Sequence, residues 1–158
     1  MSVGFYAGSF DPFTVGHLHV VKVASKIFDK VIVAIGVNPK KSRRFDKDEM
    51  KAAIEKLLKF EKVKNFEVII FDGLTAEVAK ECGAKFLVRG IRNGADYDEE
   101  ENLAAINEEI AGVETVFIRS GKFGAVSSTM VFELFTRNKD VSKYVPKFVL
   151  DVVTKKRV

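Results

Sequence analysis

Short apolar runs alternate with helical patterns along almost the whole chain, and this alternation limits the folds open to it. The runs are nearly unbroken and often β-branched, which is typical of buried strands. They lie at residues 3–7, 31–37, 66–71, 86–88 and 115–118. Strict strand–helix alternation with short links predicts an α/β fold, in which helices cover both faces of a five-stranded parallel sheet.

Capping residues and apolar positions three or four residues apart indicate where the helices lie. The predicted helices cover residues 16–28, 46–60, 75–83, 98–111 and 127–137, and Pro146 occupies the first turn of a last helix. Asp46 and Thr75 are interpreted as N-caps, with Glu49 at the capping-box position after Asp46. Ligands of parallel sheets bind beyond the carboxyl ends of the strands, so the loops there are the expected location of a site.

Length and composition fit one compact unit. The chain has 158 residues, 47% of them hydrophobic, which predicts a single domain over residues 1–158. One cysteine, Cys82, excludes an internal disulfide and predicts a cytoplasmic protein. Nothing resembles a signal peptide or a membrane span, so no membrane partner is expected. The net charge of +4 is too small to indicate a nucleic-acid partner.

Residues 8–17, Gly-Ser-Phe-Asp-Pro-Phe-Thr-Val-Gly-His, have the form of a phosphate site at the first strand–helix junction. Gly8 lets the chain turn, and free backbone N–H groups at the helix start favour an anion. His17 can give a hydrogen bond or a positive charge to a phosphoryl oxygen without acting as a nucleophile. The structural alternative is a capped turn with a surface histidine. His19 points elsewhere on the helix, so the two histidines form no metal pair.

Cationic and hydroxyl side chains follow four of the five predicted strands. They are Ser9 and His17; Lys40, Lys41, Arg43 and Arg44; Arg89 and Arg92; and Arg119, Lys122 and residues 127–129. Because parallel strands end at the same edge of a sheet, we expect these groups to converge. Such an array fits a substrate rich in phosphate.

Each part of this array also has a structural interpretation. The basic run 40–44 can be a solvated turn, and only one of its residues is assigned to the site. Arg89 and Arg92 can grip separate phosphates, or they can pair with the acidic run at residues 96–101. The three hydroxyls at residues 127–129 suit the terminal phosphate of a nucleotide, whereas a plain N-cap needs only the first of them.

Motifs in four segments resemble those of a known family. Thr14-Val15-Gly16-His17 is similar to the (T/H)xGH signature of the nucleotidylyltransferase superfamily, and the chain lacks the P-loop and G-x-G-x-x-G patterns. Residues 39–45, 88–97 and 126–129 extend the resemblance over essentially the whole chain to the bacterial phosphopantetheine adenylyltransferases. The family implies a Rossmann-like doubly wound sheet, a homohexamer of two trimers, and magnesium bound with ATP rather than at a metal site of the protein.

The resemblance also implies a reaction. ATP and 4′-phosphopantetheine give dephospho-coenzyme A and pyrophosphate by in-line attack on the α-phosphorus, with no covalent enzyme intermediate. His17 corresponds to the transition-state stabiliser, and the implied catalytic group is Ser9, His17, Lys41 and Arg92. The implied ATP contacts are Ser9, Phe10, His17, Gly90, Ile91, Arg92, Glu100, Phe123, Gly124, Ala125, Val126, Ser127, Ser128 and Thr129. The implied phosphopantetheine contacts are Ser9, Lys41, Leu74, Thr75 and Arg89.

The chain departs from the usual family pattern at several positions. Ser9 stands in place of threonine, Glu99 in place of tyrosine and Phe123 in place of tryptophan, while Gly73 and Thr75 replace bulkier or acidic residues. None of these changes removes a cationic or phosphate-facing group.

Two other functions remain open at this point. The first is another transferase of the superfamily, acting on glycerol 3-phosphate with CTP or on nicotinate mononucleotide with ATP, because its first motif would look the same. The second is a nucleotide sensor or an RNA-binding module, which would bind its ligand without releasing pyrophosphate. Lys41 and the pair Arg89 and Arg92 favour phosphopantetheine as the acceptor, and the chain has no interleaved aromatic and basic motif for RNA.

Overall fold

Strands and helices alternate along the chain in the computed structural model, which describes residues 1–156. The strands are β1 (Val3–Gly8), β2 (Lys30–Gly36), β3 (Phe66–Phe71), β4 (Phe86–Ile91) and β5 (Glu114–Arg119). The helices are α1 (Val15–Ile27), α2 (Lys47–Phe60), α3 (Thr75–Glu81), α4 (Gly94–Ala111), α5 (Ser128–Thr136) and α6 (Val149–Lys155), and a 3-10 turn covers Gly121–Phe123. Within the described residues, no helix is both long and apolar enough to span a membrane.

The five strands form one parallel sheet in the order β3-β2-β1-β4-β5. The chain winds outward from β1 to β3 and then crosses back to β4 and β5, so the strand order reverses between β1 and β4. The predicted fold class, a doubly wound parallel sheet, is confirmed. In such sheets the reversal opens a crevice at the carboxyl ends of the two central strands, which here end at Gly8 and Ile91.

Two apolar layers cover the faces of the sheet, because successive side chains of a strand point to opposite sides. Tyr6 of β1 faces the larger layer, where α1, α2, α5 and α6 pack. Phe5 and Ala7 face a smaller layer, in which α3 contributes the small side chains of Ala76 and Ala79. Helix α4, although 18 residues long, contributes no buried residue.

Helix α4 begins earlier than predicted. The sequence analysis placed its start at Asp98, whereas the helix starts at Gly94 and Asn93 is its N-cap. The Asn93 side chain accepts a hydrogen bond of 3.0 Å from the backbone N–H of Asp96. At the other end, Gly112 closes the helix as predicted, in the left-handed conformation with φ 68°.

Other helix boundaries also differ in detail. Asp46 caps α2 as predicted, and its carboxylate accepts a 2.9 Å bond from the N–H of Glu49. Thr75 is the first residue of α3 rather than its cap, and Leu74 precedes it without a side-chain bond. Pro146 lies before α6 rather than in its first turn, although its carbonyl accepts a 2.9 Å bond from Leu150.

Candidate active site

A cleft of about 400 Å³ opens where the strand order reverses. The turn between β1 and α1, the end of β4, the first half of α4 and the start of α5 form its walls. Ten of the residues predicted to contact ATP or phosphopantetheine line it: Ser9, Phe10, His17, Arg89, Gly90, Arg92, Glu100, Val126, Ser127 and Ser128. Groups separated by more than a hundred positions in the sequence are therefore neighbours in the fold.

His17 is held by a reciprocal capping box with Thr14, the N-cap of α1. The Thr14 hydroxyl accepts a 3.3 Å bond from the backbone N–H of His17, and the Thr14 N–H donates a 2.9 Å bond to the His17 Nδ1. Because Nδ1 accepts this bond, a neutral imidazole carries its proton on Nε2. The turn therefore fixes both the position and the tautomer of the ring.

The surroundings of His17 keep its ring uncharged. Three aromatic rings lie near the imidazole, with centroid distances of 6.4 Å to Tyr6, 5.0 Å to Phe10 and 5.4 Å to Phe13. Burial, followed by the charges of Arg89 and Arg92, lowers the pKa of His17 to about 3. The sequence left open whether His17 offers a hydrogen bond or a positive charge. The geometry selects a neutral Nε2–H donor.

Arg89 is fixed between β1 and α4. Its Nε and Nη2 donate bonds of 2.7 and 2.8 Å to the two carboxylate oxygens of Glu100, and its Nη1 donates a 2.8 Å bond to the carbonyl of Ala7. The Glu100 carboxylate raises the pKa of Arg89. A bidentate pair of this kind holds the guanidinium plane in one orientation.

Arg92 makes a similar pair with Asp96, which lies one turn before Glu100 on α4. Its Nε and Nη2 donate bonds of 2.9 and 3.2 Å to Asp96, whose carboxylate also accepts a 3.1 Å bond from the Arg92 backbone N–H. These bonds lower the pKa of Asp96. Both arginines thus pair with the acidic run, which is the structural interpretation given above, and both still line the cleft.

A second cleft of about 250 Å³ lies between α3 and α4. Leu74 and Thr75 line it, as do the apolar side chains of Phe5, Leu87, Leu103 and Ile110. Ala7, Arg89, Glu100 and Leu103 line both clefts. The Arg89–Glu100 ion pair is therefore a wall shared by a polar cleft and a more apolar one.

Lys41 lies outside both clefts, although the resemblance assigns it a catalytic role. Its side chain is exposed, and its backbone N–H donates a 2.9 Å bond to the carbonyl of Asn38. The path of this loop is set by the residues that follow. Arg43 donates a 2.7 Å bond to the Ser9 carbonyl, and Arg44 donates its backbone N–H to Asp11.

The loop before α5 is brought only partly to the cleft. Phe123, Gly124 and Ala125 of this loop do not line the cleft, nor do Thr129 of α5 and Ile91, the last residue of β4. Ser127 is the N-cap of α5 and accepts a 3.1 Å bond from Met130, while the Ser128 hydroxyl donates a 2.8 Å bond to the carbonyl of Pro12. Two of the three hydroxyls thus have structural partners as well as a place on the cleft wall.

Sequence reasoning missed the residues that hold the site together. Thr14 was noted as part of a motif but not as the partner of the His17 ring. Asp11 was interpreted only as keeping the turn extended before Pro12, yet its buried carboxylate accepts bonds of 2.8 and 2.9 Å from the backbone N–H groups of Arg44 and Phe45. The available signal was a carboxylate set between aromatic and proline residues at the end of a buried strand.

Comparison with known proteins decides the family. The cytidylyltransferase-like family model matches residues 5–134. The chain is 41% identical over 155 residues to the phosphopantetheine adenylyltransferase of Leuconostoc mesenteroides, covering 97% of this chain and 94% of that protein. It is 40% identical over 158 residues to that of Alkaliphilus metalliredigens, covering 99% of each chain. This chain belongs to the phosphopantetheine adenylyltransferase family.

A further family member, from Cytophaga hutchinsonii, is 43% identical over 146 residues and covers 91% of this chain and 96% of that protein. Among solved structures, a Vibrio parahaemolyticus protein assigned as a nicotinate-nucleotide adenylyltransferase superposes with a TM-score of 0.70. It covers 98% of this chain and 93% of its own at 17% identity. This likeness shows the Rossmann-like nucleotidylyltransferase fold.

Side chains that can hold a metal ion are not clustered in the part of this family member that the structure describes. Among residues 1–156, no group of three or more His, Cys, Asp or Glu side chains is placed to hold a metal ion. At the cleft, Glu100 and Asp96 are already engaged with arginines. The cleft is also lined by the hydroxyl side chains of Ser9, Ser127 and Ser128 and by the imidazole of His17.

Proposed function

We propose that this protein transfers the adenylyl group of ATP to 4′-phosphopantetheine, giving dephospho-coenzyme A and pyrophosphate. Membership of the family supports the activity, and one geometric observation carries the assignment of the site. A polar cleft with cationic and hydroxyl groups opens at the strand reversal and shares a wall with a more apolar cleft. ATP occupies the first cleft, and the pantetheine arm of the acceptor extends into the second.

ATP binding is assigned to the walls of the polar cleft. Ser9 and His17 lie on the β1–α1 turn, where N–H groups at the start of α1 favour phosphate. Arg92, at the end of β4, adds a positive charge once its bond to Asp96 is exchanged for one to a phosphate. The start of α5, with Ser127 and Ser128, provides the opposite wall for the triphosphate.

The acceptor phosphate is assigned to Arg89. Its guanidinium already binds a carboxylate in a bidentate pair, and a phosphate presents two oxygens in the same geometry. Exchange of Glu100 for the acceptor phosphate places that phosphate at the boundary of the two clefts. Leu74 and Thr75 then lie along the pantetheine arm in the apolar cleft.

The chemistry needs position and charge more than it needs a base. The acceptor phosphate is ionised near neutral pH, so its oxygen attacks the α-phosphorus in line while pyrophosphate leaves from the opposite side. His17 donates its Nε2 proton in a hydrogen bond to a phosphoryl oxygen whose charge increases in the transition state. Arg89 and Arg92 neutralise the remaining charge, and Ser9 orients the reacting phosphates. Lys41 reaches the acceptor phosphate only after its loop moves towards the cleft.

Magnesium is proposed to enter with ATP. Bound there, it neutralises phosphate oxygens and favours the departure of pyrophosphate. The Ser9 hydroxyl and the Glu99 carboxylate are among the oxygen donors on the cleft wall, and they would suit a hard cation held mainly by phosphates.

A homohexamer in the cytoplasm is proposed as the working form. The family supports this state, and α4 offers a surface for it at Ile106, which is 51% exposed, whereas Leu103 and Ile110, at 45% and 47%, also line the apolar cleft. Apolar side chains exposed together on one helix are typical of a surface that another chain covers. Cys82, the one cysteine, fits a reducing compartment.

The deciding experiment is a coupled assay of pyrophosphate release. With ATP and magnesium, release is expected only when 4′-phosphopantetheine is added, and dephospho-coenzyme A should accumulate in equal amount. Glycerol 3-phosphate with CTP, and nicotinate mononucleotide with ATP, serve as matched acceptors of the superfamily. Faster release with either of these, or ATP binding without any release, would overturn the proposal.

A further inference from the structure

Asp11 lies at the centre of a clamp between two distant segments. Its two carboxylate oxygens accept bonds of 2.8 and 2.9 Å from the backbone N–H groups of Arg44 and Phe45. In return, Arg44 Nη1 donates a 3.3 Å bond to the Asp11 carbonyl. Asp11 is buried and does not itself line the polar cleft.

Arg43 completes the clamp on the side of the cleft. Its Nη1 donates a 2.7 Å bond to the Ser9 carbonyl and its Nε donates a 3.0 Å bond to the Phe45 carbonyl. Its Nη2 lies 3.6 Å from the Asp11 carboxylate, with the side chains of Arg43 and Asp11 only 16% and 12% exposed. Residues 9–11 are thus bound to residues 43–45 through charges that water screens weakly.

The clamped turn has a strained backbone. Phe10, between the two clamped residues, has φ 46°, which is the left-handed region that side chains other than glycine rarely adopt. Such a conformation is unfavourable by itself and persists when the surroundings determine it from several sides. Here the Phe10 ring packs 5.2 Å from Tyr6 and 5.3 Å from Phe13, while the clamp holds its neighbours.

The geometry points to Asp11 as a positioning residue for adenylyl transfer, acting through Arg43 on the turn that carries Ser9 and His17. This inference rests on the proposed function. Arg43 binds the Ser9 carbonyl, so the clamp holds Ser9 on the cleft wall, and His17 lies six residues after Asp11 at the other end of the same turn. Lys41 lies two residues before Arg43, and its loop is therefore tethered to the same carboxylate.

The test compares Asp11→Ala with Asp46→Ala. Asp46 is a matched control, because its carboxylate also accepts a backbone N–H bond, at the start of α2, and it lies outside the cleft. Both variants are expected to melt at a lower temperature than the wild type. At a temperature well below melting, Asp11→Ala should lose about tenfold to a hundredfold in kcat and show a raised KM for 4′-phosphopantetheine, because small misplacements of reacting groups are costly. Asp46→Ala should keep both constants.

A purely structural role for Asp11 predicts a different result. The two variants would then share a lowered melting temperature and wild-type kcat and KM, which would overturn the inference. If Asp11→Ala does not fold, Arg43→Gln decides, since it keeps the Asp11 bonds to the backbone and removes the bond to Ser9. Its expected result is again a lowered kcat with a raised KM, and unchanged constants would overturn the inference. Absence of pyrophosphate release from the wild type would instead refute the proposed function.

Discussion

His17 shows how one side chain receives its chemical character from five neighbours. The Thr14 N–H fixes the proton on Nε2, and the rings of Phe10 and Phe13 pack beside the imidazole and reduce its contact with water. The positive charges of Arg89 and Arg92 make a further positive charge on the imidazole unfavourable. A histidine that stays neutral can donate a hydrogen bond over the whole physiological pH range, and its contribution does not depend on titration.

Removal of this donor should slow the reaction far more than it weakens ATP binding. We expect His17→Ala to lower kcat about a hundredfold, the usual cost of losing one donor to transition-state charge. The Kd for ATP, measured by calorimetry, should change little. His19→Ala is the matched control, because His19 is on the same helix and bonds instead to the Arg119 carbonyl at 3.1 Å. Turnover close to normal in His17→Ala would contradict the assignment.

The lowered pKa of His17 also predicts how stability depends on pH. The unfolded chain takes up a proton at His17 near pH 6.5, whereas the folded chain does so near pH 3. The free energy of unfolding should therefore decrease as pH falls from 6.5 towards 3, and this loss should be absent above 6.5. Urea unfolding of wild type and His17→Gln over this range measures the difference. A difference that grows in favour of the wild type at lower pH would show a charged His17 in the folded state.

Replacement of Arg89 by lysine should weaken the binding of the acceptor. Lysine keeps the charge but cannot make two parallel bonds, so a phosphate loses one charge-assisted hydrogen bond of about 1.5 kcal/mol. The KM for 4′-phosphopantetheine should accordingly rise about tenfold in Arg89→Lys, with a smaller change in the KM for ATP. Arg137→Lys, at the exposed end of α5, is the control for the substitution itself. Equal changes in both KM values would contradict an acceptor role.

Among the elements, α4 connects the site to the protein surface. Its first turn holds Asp96 against Arg92, its next turn holds Glu100 against Arg89, and its remaining turns expose apolar side chains. None of its residues is buried. The helix therefore depends on its caps, its ion pairs and contacts along one side, and the two arginines that line the polar cleft are held by the helix.

The N-cap of α4 should thus contribute measurably to stability. We expect Asn93→Ala to lower the free energy of unfolding by about 1 kcal/mol, because the N–H of Asp96 loses its acceptor. Asn93→Gly should cost only a few tenths of a kcal/mol. Urea midpoints of the two variants measure the contrast, and identical losses would show that Asn93 does not act as a cap.

Element types were predictable from the sequence, but some boundaries were not. Periodicity identified all five strands, since buried parallel strands leave clear apolar runs. The run of β4 was predicted to stop at residue 88, because Arg89 and Gly90 interrupt it. In the structure both pair with β5, opposite Phe117 and Ile118. Asn93-Gly94 was not recognised as a helix start, because the carboxylates that favour a helix N-terminus led the predicted helix to begin at Asp98, four residues after Gly94.

At the scale of the whole molecule, topology brings the site together. The strand order was not predictable from the local pattern, yet any parallel sheet places the carboxyl ends of its strands at one edge. This is why the convergence of Ser9, His17 and Arg89 could be anticipated. The partners of these residues could not be anticipated. The Arg89–Glu100 and Asp11–Arg44 contacts depend on how separate segments pack, and the hydrophobic periodicity of the sequence carries no information on that packing.

Assembly should depend on the exposed face of α4. We expect sedimentation of the wild type to give six times the 17.6 kDa mass of the chain, and Ile106→Glu to give smaller species, because a carboxylate is costly in an apolar contact. Ile27→Glu is the matched control, since Ile27 is equally exposed, at 54%, on a different helix. A monomeric wild type, or an Ile106→Glu variant of unchanged mass, would contradict this surface as the contact.

The partition formed by Arg89 and Glu100 has a practical consequence for inhibitor design. Because the Arg89–Glu100 ion pair is part of the wall between the two clefts, one compound with an anionic group at its centre could displace the Glu100 carboxylate and extend into both. Its second half would bind at the high effective concentration set by the first. Such a bisubstrate ligand would need a polar, nucleotide-like end for the polar cleft and a slender, apolar end for the apolar cleft.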